Sequence, residues 1–510
     1  MPFWCVGGYS LSLSQLSEVI LGPHEPSATT SGNTDPCQHV WERASLWTDR
    51  QSRWTAAREM TLRWVSHQLW RHRMKGLLVT LAVTLLLMLL ATQALQPVSQ
   101  RPVVDKRTEH EKAQHRPKQA SHKESGRRKA GEIATTQPTE DIPRSTIERR
   151  RAPPPIVFLK THKTGSSTVQ NLLFRLGERE KATFAFPHYT YQFSYPERFR
   201  AEFVDELPDG STQFDILCSH MRLDLAQVMQ VMPQNAVYVT LLREPLRTFE
   251  SVFNYYTSTV PAFTKAQKAA DAAAATAAAA GSLKRKSALT IFLENPEAYW
   301  DPKEVGNGLV KNPMCFDMGL NSQQWNSSWP EDLARLEEAF HLVMIAEHFD
   351  ESLVLLGALL GVGLEELAYV RLNVRSVLSV ATLDQATKEK LSAWNALDTL
   401  LYDFFLQLFW EKAEMYGRKR LSREVAQLRR ATERVRKMCV AREGVPPGQL
   451  EDLVRPWQTN SATIMGYELR ANLSQQEQGF CVRLVLPELQ YHSHLYFQQY
   501  GRDMRSVPTD

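Results

Sequence analysis

Two short polar segments of this sequence hold residue types that bind anions. The first, KTHKTGSST at residues 160–168, carries two lysines, a histidine, a glycine and hydroxyls between an apolar run and an amphipathic segment. The second begins at Arg243, directly after another apolar run, and leads into a segment that contains Ser251. A helix that starts after a strand and a tight turn points backbone N–H groups and its positive end at an anion, and Lys or Arg adds charge-assisted hydrogen bonds. The pair predicts a site for a ligand with two phosphate-type groups.

The first segment is not the nucleotide-binding loop G-x-x-x-x-G-K-[ST]. Lys160 stands where that motif needs its first glycine, and the order Lys163-Thr164-Gly165-Ser166 reverses its Gly-Lys step. An anion held without the Mg²⁺ arrangement of a nucleotide triphosphatase fits better. The chain also has no C-x-x-C or His/Cys spacing typical of zinc, so a zinc site is not indicated.

The elements that must position these segments read as an α/β fold. Apolar runs at 156–160, 214–218, 236–242 and 341–349 are typical of strands buried on both faces, and helical periodicity follows at 166–176, 247–256 and 350–360. Repeated strand–turn–helix units predict a parallel sheet, and the C-terminal third reads as mostly helical. The alanine-rich segment 265–286 has no apolar face, so we expect a surface insertion with no catalytic part.

The N-terminal part predicts a membrane anchor. Residues 76–95 are 20 residues without a charge, preceded by basic residues and lying far from Met1, which favours a single-pass signal anchor over a cleaved leader. Residues 1–75 are then a cytosolic tail or a start-site extension, and the polar, basic segment 96–152 a disordered stem. Residues 153–500 form the predicted catalytic domain and 501–510 a tail. A net charge of +4 gives no indication of nucleic-acid binding.

The predicted anchor also divides the cysteines between the two sides of the membrane and leaves two sequons beyond it. Cys5 and Cys37 precede the anchor, whereas Cys218, Cys315, Cys439 and Cys481 follow it, in a compartment where disulfides persist; four cysteines allow three pairings. Glycosylation sequons beyond the anchor begin at Asn326 and Asn472.

The two anion segments resemble the cofactor motifs of sulfotransferases, which bind 3′-phosphoadenosine 5′-phosphosulfate. Further blocks, FDILCSHMR, HFDESLVLL, AWNALD, PWQTNSATIMGYELR and PELQY, are similar to the Golgi galactose 3-O-sulfotransferases over about residues 155–492. SREVAQLRRATERVRKMC and RPWQ are most similar to the branch that acts on galactosylceramide. The sequence departs from the family in its alanine tract, in Gly165 and in its N-terminal extension. The resemblance implies a sulfotransferase-like (P-loop-NTPase-like) domain in the Golgi lumen and a phosphosulfate co-substrate. It implies these donor-binding residues: Lys160, Thr161, Lys163, Thr164, Gly165, Ser166, Ser167, Thr168, Arg243 and Ser251.

The resemblance and the chemistry of sulfuryl transfer together predict roles for three residues. Lys163 would stabilise the leaving phosphate, His162 would be the general base for a galactose 3-hydroxyl, and His220 is the second base candidate or an acceptor-binding residue. The resemblance also implies a Cys439–Cys481 disulfide, whereas a Cys218–Cys315 pairing is left open, because Cys315 stands where relatives are expected to have Phe.

Alternative functions differ in their acceptor or their class. The galactose can belong to a glycolipid such as galactosylceramide or to a glycoprotein or oligosaccharide, which the sequence separates poorly. A glycan-binding protein that has lost catalysis is disfavoured by the intact Lys163, His162, Arg243 and Ser251. A glycosyltransferase commonly has a metal-binding D-x-D tripeptide, which is absent from the sequence.

Overall fold

The computed structural model describes residues 152–280, 286–376, 379–380 and 383–505 of the chain. Its strands are β1 (Ile156–Leu159), β2 (Ile216–Leu217), β3 (Val237–Leu242), β4 (Leu342–Ile345), β5 (Val374–Arg375), β6 (Val440–Val445) and β7 (Ile464–Leu469). Its α-helices are α1 (Ser166–Glu180), α2 (Leu225–Val231), α3 (Pro245–Tyr256), α4 (Pro261–Ala279), α5 (Ala288–Glu294), α6 (Pro313–Asp317), α7 (Trp329–Ala339), α8 (Phe349–Leu360), α9 (Gln385–Trp394), α10 (Ala396–Tyr416), α11 (Arg418–Cys439), α12 (Gln475–Val485) and α13 (Glu488–Tyr500). Short 3₁₀ turns connect several of them.

The four predicted apolar runs form one parallel sheet, which confirms the α/β assignment. The strand order is β2-β1-β3-β4, and every residue of β1, β3 and β4 is buried, as expected of strands covered on both faces. Strand β2 is shorter than the run at 214–218 because only Ile216 and Leu217 pair with β1, at the edge of the sheet.

The sheet order brings the two anion segments together. The chain leaves β1 toward β2 on one side, whereas β3 and β4 extend the sheet on the other side, so the order reverses between β1 and β3. These two strands are parallel neighbours, with Leu159 opposite Thr240. Residues 160–165 and Arg243 therefore follow the carboxyl ends of neighbouring strands, at the switch point where open α/β sheets bind ligands.

A second, antiparallel sheet lies within the C-terminal part, which is otherwise helical as predicted. Its order is β5-β7-β6. The sequence did not indicate it, because β5 has two residues and the exposure of β6 does not alternate. The sheet packs beside α12, whose Leu484 and Val485 belong to a small apolar cluster with Val440.

The alanine-rich segment corrects one expectation. Residues 261–279 form α4, and its first half docks on the protein through buried Phe263, Ala266 and Ala270. Phe263 contacts Phe253 of α3, with ring centroids 4.5 Å apart. The expectation that 265–286 has no face to dock was therefore wrong for its beginning, because Phe263 just upstream and alanines at helical spacing together supply that face. Beyond Ala270 most of the helix is exposed.

Cys439 and Cys481, the pair that the resemblance implied, form a disulfide between the end of α11 and α12. Cys218 and Cys315 are buried free thiols and do not pair with each other. Of the two sequon residues, Asn472 is exposed, whereas Asn326 is half-buried and its Oδ1 accepts from the Ser328 hydroxyl. Glycosylation of both stays a prediction.

Removal of this disulfide should destabilise the domain. The bridge closes a loop with a sequence separation of 42 residues. Replacing both Cys439 and Cys481 by Ser is expected to lower the free energy of unfolding by roughly 2–4 kcal/mol, because the unfolded chain regains entropy. Denaturant titration measures the loss, and non-reducing peptide mapping of the wild type is the control. A free Cys439 in that map would contradict the pairing.

The predicted tail, stem, anchor and extension lie outside the described residues, except for Ala152 and the first part of the tail. In that part Arg502 and Arg505 contact the buried carboxylate of Asp205. Within the ranges that the structure describes, none of the helices is both long enough and apolar enough to span a bilayer. The predicted span at 76–95 is not among them.

Candidate active site

The loop after β1 makes the predicted tight turn. Gly165 has φ +95°, in the left-handed region that favours glycine, and it is the N-cap of α1, which begins at Ser166. Because glycine has no side chain, no side-chain oxygen caps this helix start. Neither of the two serines that follow caps the helix: the Ser166 hydroxyl donates to the Thr161 carbonyl at 2.7 Å, and that of Ser167 donates to Glu488 at 3.2 Å.

The backbone reverses at Lys163, so neighbouring side chains diverge. Lys163 also has a positive φ, of 59°. Its Nζ lies 3.4 Å from the centroid of the Tyr255 ring, in a cation–π contact with α3. Its carbonyl accepts from Nη1 of Arg243 at 3.0 Å, which ties the loop after β1 to the end of β3. The side chain of His162, by contrast, is buried against Asp317.

Both anion segments line one cavity of about 600 Å³. Its wall includes ten of the predicted site residues: Lys160, Lys163, Thr164, Gly165, Ser166, Ser167, Thr168, His220, Arg243 and Ser251. Two predicted residues, Thr161 and His162, are buried behind this wall. The Thr161 hydroxyl donates to the Leu241 carbonyl at 2.5 Å, so it joins β1 to β3 rather than facing a ligand.

The surroundings of Lys163 in the cavity lower the pKa of its side chain. Burial, and then the neighbouring charges of Arg375 and Lys160, lower the pKa of its ammonium to about 7, although part of the side chain still meets solvent. A bound phosphate would raise this pKa again, because an opposite charge favours the ammonium.

His162 is held by a buried carboxylate. Its Nδ1 lies 3.0 Å from Asp317, and its backbone N–H donates to Oδ2 of the same side chain at 2.7 Å. The Tyr195 hydroxyl donates to Oδ1 at 2.7 Å. Since a carboxylate accepts only, Nδ1 carries a proton, and in the neutral form of the ring Nε2 then has the free lone pair. Within the described ranges, Nε2 makes no hydrogen bond, so this is the arrangement of an oriented general base.

His220 has the opposite arrangement. Its ring stacks on that of His162, with centroids 3.9 Å apart. Its Nδ1 donates to the Lys160 carbonyl at 2.7 Å, so its Nε2 is the acceptor that meets the Lys160 ammonium at 2.9 Å. Burial, and then the charges of its neighbours, hold the pKa of His220 well below its usual value. Its lone pair is therefore already occupied.

The sequence reasoning missed four residues of this site: Asp317, Tyr195, Tyr255 and Glu488. Asp317 lies 155 residues from His162, and no local pattern links them. The one signal was a carboxylate within the apolar stretch around Met314 and Leu320, since a buried charge needs a partner. Glu488 lies in the block PELQY, which was noted only as part of the resemblance.

The parallel sheet, the glycine turn at its switch point and the cationic cavity define an α/β protein whose cavity suits an anionic ligand. Comparison with known proteins narrows this class. Residues 61–499 match the galactose-3-O-sulfotransferase family. The chain is 39% identical to human galactosylceramide sulfotransferase, over 66% of this chain and 76% of the relative. It is 38% identical to mouse galactose-3-O-sulfotransferase 3 (72% of this chain, 84% of the relative) and 38% identical to human galactose-3-O-sulfotransferase 2 (69% and 86%). The chain belongs to the galactose-3-O-sulfotransferase family and is a sulfotransferase.

Proposed function

We propose that this protein transfers the sulfuryl group of 3′-phosphoadenosine 5′-phosphosulfate to the 3-hydroxyl of galactose in galactosylceramide and related glycolipids. The assignment of the donor rests on one observation: Lys163, Arg243 and Ser251 lie together in the wall of one cavity at the switch point of the sheet. The assignment of the acceptor rests on the similarity to galactosylceramide sulfotransferases among the relatives. The site works in the Golgi lumen, behind a type II anchor at 76–95.

The residues present suit such a donor. The cavity of about 600 Å³ has a cationic wall, formed by Lys160, Lys163, Arg243, Arg371 and Arg375. Lys163 and the start of α1 would hold the 5′-phosphosulfate, and Arg243 with Ser251 the 3′-phosphate. The donor supplies an activated sulfuryl group, and the chemistry assigned to these side chains requires no metal.

His162 is the proposed base. As the bond from the acceptor oxygen to sulfur forms and the bond from sulfur to the 5′-phosphate oxygen breaks, Nε2 of His162 takes the hydroxyl proton. Lys163 donates to the departing phosphate oxygen. Because the His162 ring is 2% exposed beneath His220 and Tyr256, acceptor binding must open this contact.

The decisive acceptor experiment compares substrates. Full-length protein in detergent, with labelled phosphosulfate donor, is expected to sulfate galactosylceramide in preference to galactose-terminated oligosaccharides. Preference for the oligosaccharides would favour the second candidate, a glycoprotein or oligosaccharide sulfotransferase, which the almost equal identity to the other family branches supports. No transfer to either would favour a non-catalytic glycan-binding protein.

Loss of Arg243 should weaken the donor site. Arg243→Ala is expected to raise the Kd of adenosine 3′,5′-bisphosphate by about 10–150-fold, the equivalent of roughly 1.5–3 kcal/mol for a charge-assisted contact. Calorimetry measures it. Arg247→Ala, which removes an exposed arginine of the following helix α3, is the matched control and should leave Kd unchanged. Equal affinities of wild type and Arg243→Ala would reject the 3′-phosphate assignment.

The lowered pKa of Lys163 predicts a pH-dependent donor affinity. Below pH 7 the ammonium is present before binding; above pH 7 the free lysine is neutral, so binding must take up a proton. Between pH 7 and 9 the affinity for adenosine 3′,5′-bisphosphate should fall by up to about tenfold per pH unit. Lys163→Arg keeps its charge throughout this range and should flatten the profile. Parallel profiles for the two proteins would exclude Lys163 as the titrating group.

A further inference from the structure

The cavity that is built for an anion contains one carboxylate. Among the described residues of its wall, Glu488 is the only acidic side chain, against five lysines and arginines. An unpaired carboxylate there would repel a phosphosulfate. A physical reason for Glu488 must therefore lie in what it contacts.

Glu488 is bound on two sides by residues of the donor loop. Both of its oxygens lie 2.7 Å from Nζ of Lys160, and its Oε2 accepts from the Ser167 hydroxyl at 3.2 Å. The Lys160 side chain is 1% exposed, and its Nζ also meets Nε2 of His220 at 2.9 Å. Glu488, as the first residue of α13, thus connects a C-terminal helix to β1, to α1 and to the stacked histidines.

The pairing removes the charge of Lys160 from the site. A buried ammonium without a counter-ion is strongly unfavourable, and a carboxylate in direct contact satisfies it. Because both oxygens of Glu488 contact its Nζ, the Lys160 ammonium already has its counter-ion within the protein. Lys163 and Arg243 are then the cations that balance the negative charge of the donor.

We propose that Glu488 is a positioning residue of the donor site, whose carboxylate neutralises Lys160 and holds it on Nε2 of His220. This rests on the proposed function. Lys160 is then not a donor ligand, as the resemblance implied, but the centre of a Glu488–Lys160–His220 chain. The chain keeps His220 from acting as a base and leaves that role to His162.

The pairing also sets the charge around Lys163. Groups on every neighbouring segment face this lysine: Arg243 at the end of β3, Arg375 of β5, Lys160 in its own loop, Glu488 of α13 and the Tyr255 ring of α3. Glu488 is the one carboxylate among them, and it raises the pKa of Lys163 against the effect of the three cations. Without it, less of Lys163 is protonated at neutral pH, so donor binding should weaken.

A double-mutant cycle tests the proposal with the full-length protein and adenosine 3′,5′-bisphosphate as probe. Glu488→Gln, which keeps the shape, is expected to raise Kd at pH 7.5 by roughly tenfold and to move the midpoint of the pH profile to lower pH by about one unit. The kcat at saturating substrates should stay within about threefold, because no reacting group is lost.

The double variant Lys160→Met/Glu488→Gln carries the decisive outcome. It restores the net charge around Lys163, so Kd and the pH midpoint should return close to the wild-type values, a recovery that a merely structural role does not predict. A double variant as weak as Glu488→Gln would show that the loss does not come from the charge of Lys160, and a still weaker one would show that Lys160 binds the donor; either result would overturn the proposal. A 10²–10⁴-fold loss of kcat in Glu488→Gln with unchanged Kd would make Glu488 itself the base, which overturns it as well. If the wild type fails to bind the bisphosphate, the proposed function falls first and the inference with it. Melting curves of the four members of the cycle, namely the wild type, Lys160→Met, Glu488→Gln and the double variant, separate these outcomes from misfolding.

Discussion

Replacement of His162 by Ala is expected to lower kcat by about 10²–10⁴-fold, the usual contribution of a positioned general base. Donor binding should persist, because the Gly165 turn, Lys163 and Arg243 remain. The structure supplies the reason for choosing this histidine: its Nδ1 is held by Asp317, which leaves Nε2 to accept a proton. Steady-state kinetics with saturating donor measure the loss, and calorimetry with adenosine 3′,5′-bisphosphate verifies that the donor site is intact.

Two variants make the His162 experiment specific. His494→Ala removes a histidine whose side chain is half exposed and should leave kcat unchanged. His220→Ala should also impair the enzyme, with part of the loss in the acceptor KM. If His162→Ala retained near-normal kcat while His220→Ala abolished activity, the base would be His220. If neither changed kcat, a mechanism with a single histidine base would have to be abandoned.

Asp317→Asn is expected to lower kcat by about 10²–10⁴-fold, although Asp317 touches neither substrate. The carboxylate orients the His162 ring and stabilises the imidazolium that forms when it takes a proton. A neutral amide does not stabilise that charge, and it can present an N–H to Nδ1, which favours the wrong tautomer. Donor affinity should change little, because Asp317 is buried away from the cavity wall. Comparison of kcat with the Kd of adenosine 3′,5′-bisphosphate separates this effect from a general loss of structure.

Tyr195→Phe is the matched control for Asp317. It removes the phenol that donates to Oδ1 at 2.7 Å but keeps the contact between Asp317 and His162. Its effect on kcat should therefore be small compared with that of Asp317→Asn. Equal losses in both variants would indicate that the three side chains act through packing alone, and the orienting role of Asp317 would be wrong.

The expected loss in Asp317→Asn concerns a residue that sequence reasoning did not propose for the site, whereas it did propose His162. The difference lies in sequence distance. His162, Lys163 and Gly165 share one turn between a buried strand and a helix, so their types and order already indicate an anion site. Asp317 ends a short helix in a different part of the chain, and nothing in its neighbourhood marks it as a partner of His162.

Within the described residues, the sequence by itself determined the parallel sheet and the places where its strands end. Buried strands are continuous apolar runs, and the residue types change abruptly where each run stops. Because β1 and β3 were both recognised, the anion loop and Arg243 were placed at strand ends. The start of α1 at Ser166 followed from glycine and hydroxyl residues ahead of a periodic segment.

Only the tertiary structure decided how the charges in this site are paired. The sequence shows Lys160, Lys163 and Arg243 as equivalent cations, but the fold pairs Lys160 with Glu488, 328 residues away, although all three line the same cavity. It likewise gives His162 a carboxylate and His220 an ammonium, although the rings stack on each other. Periodicity and propensity report on neighbours along the chain, whereas protonation and hydrogen-bond roles depend on neighbours in space, and these are set by strand order and helix packing.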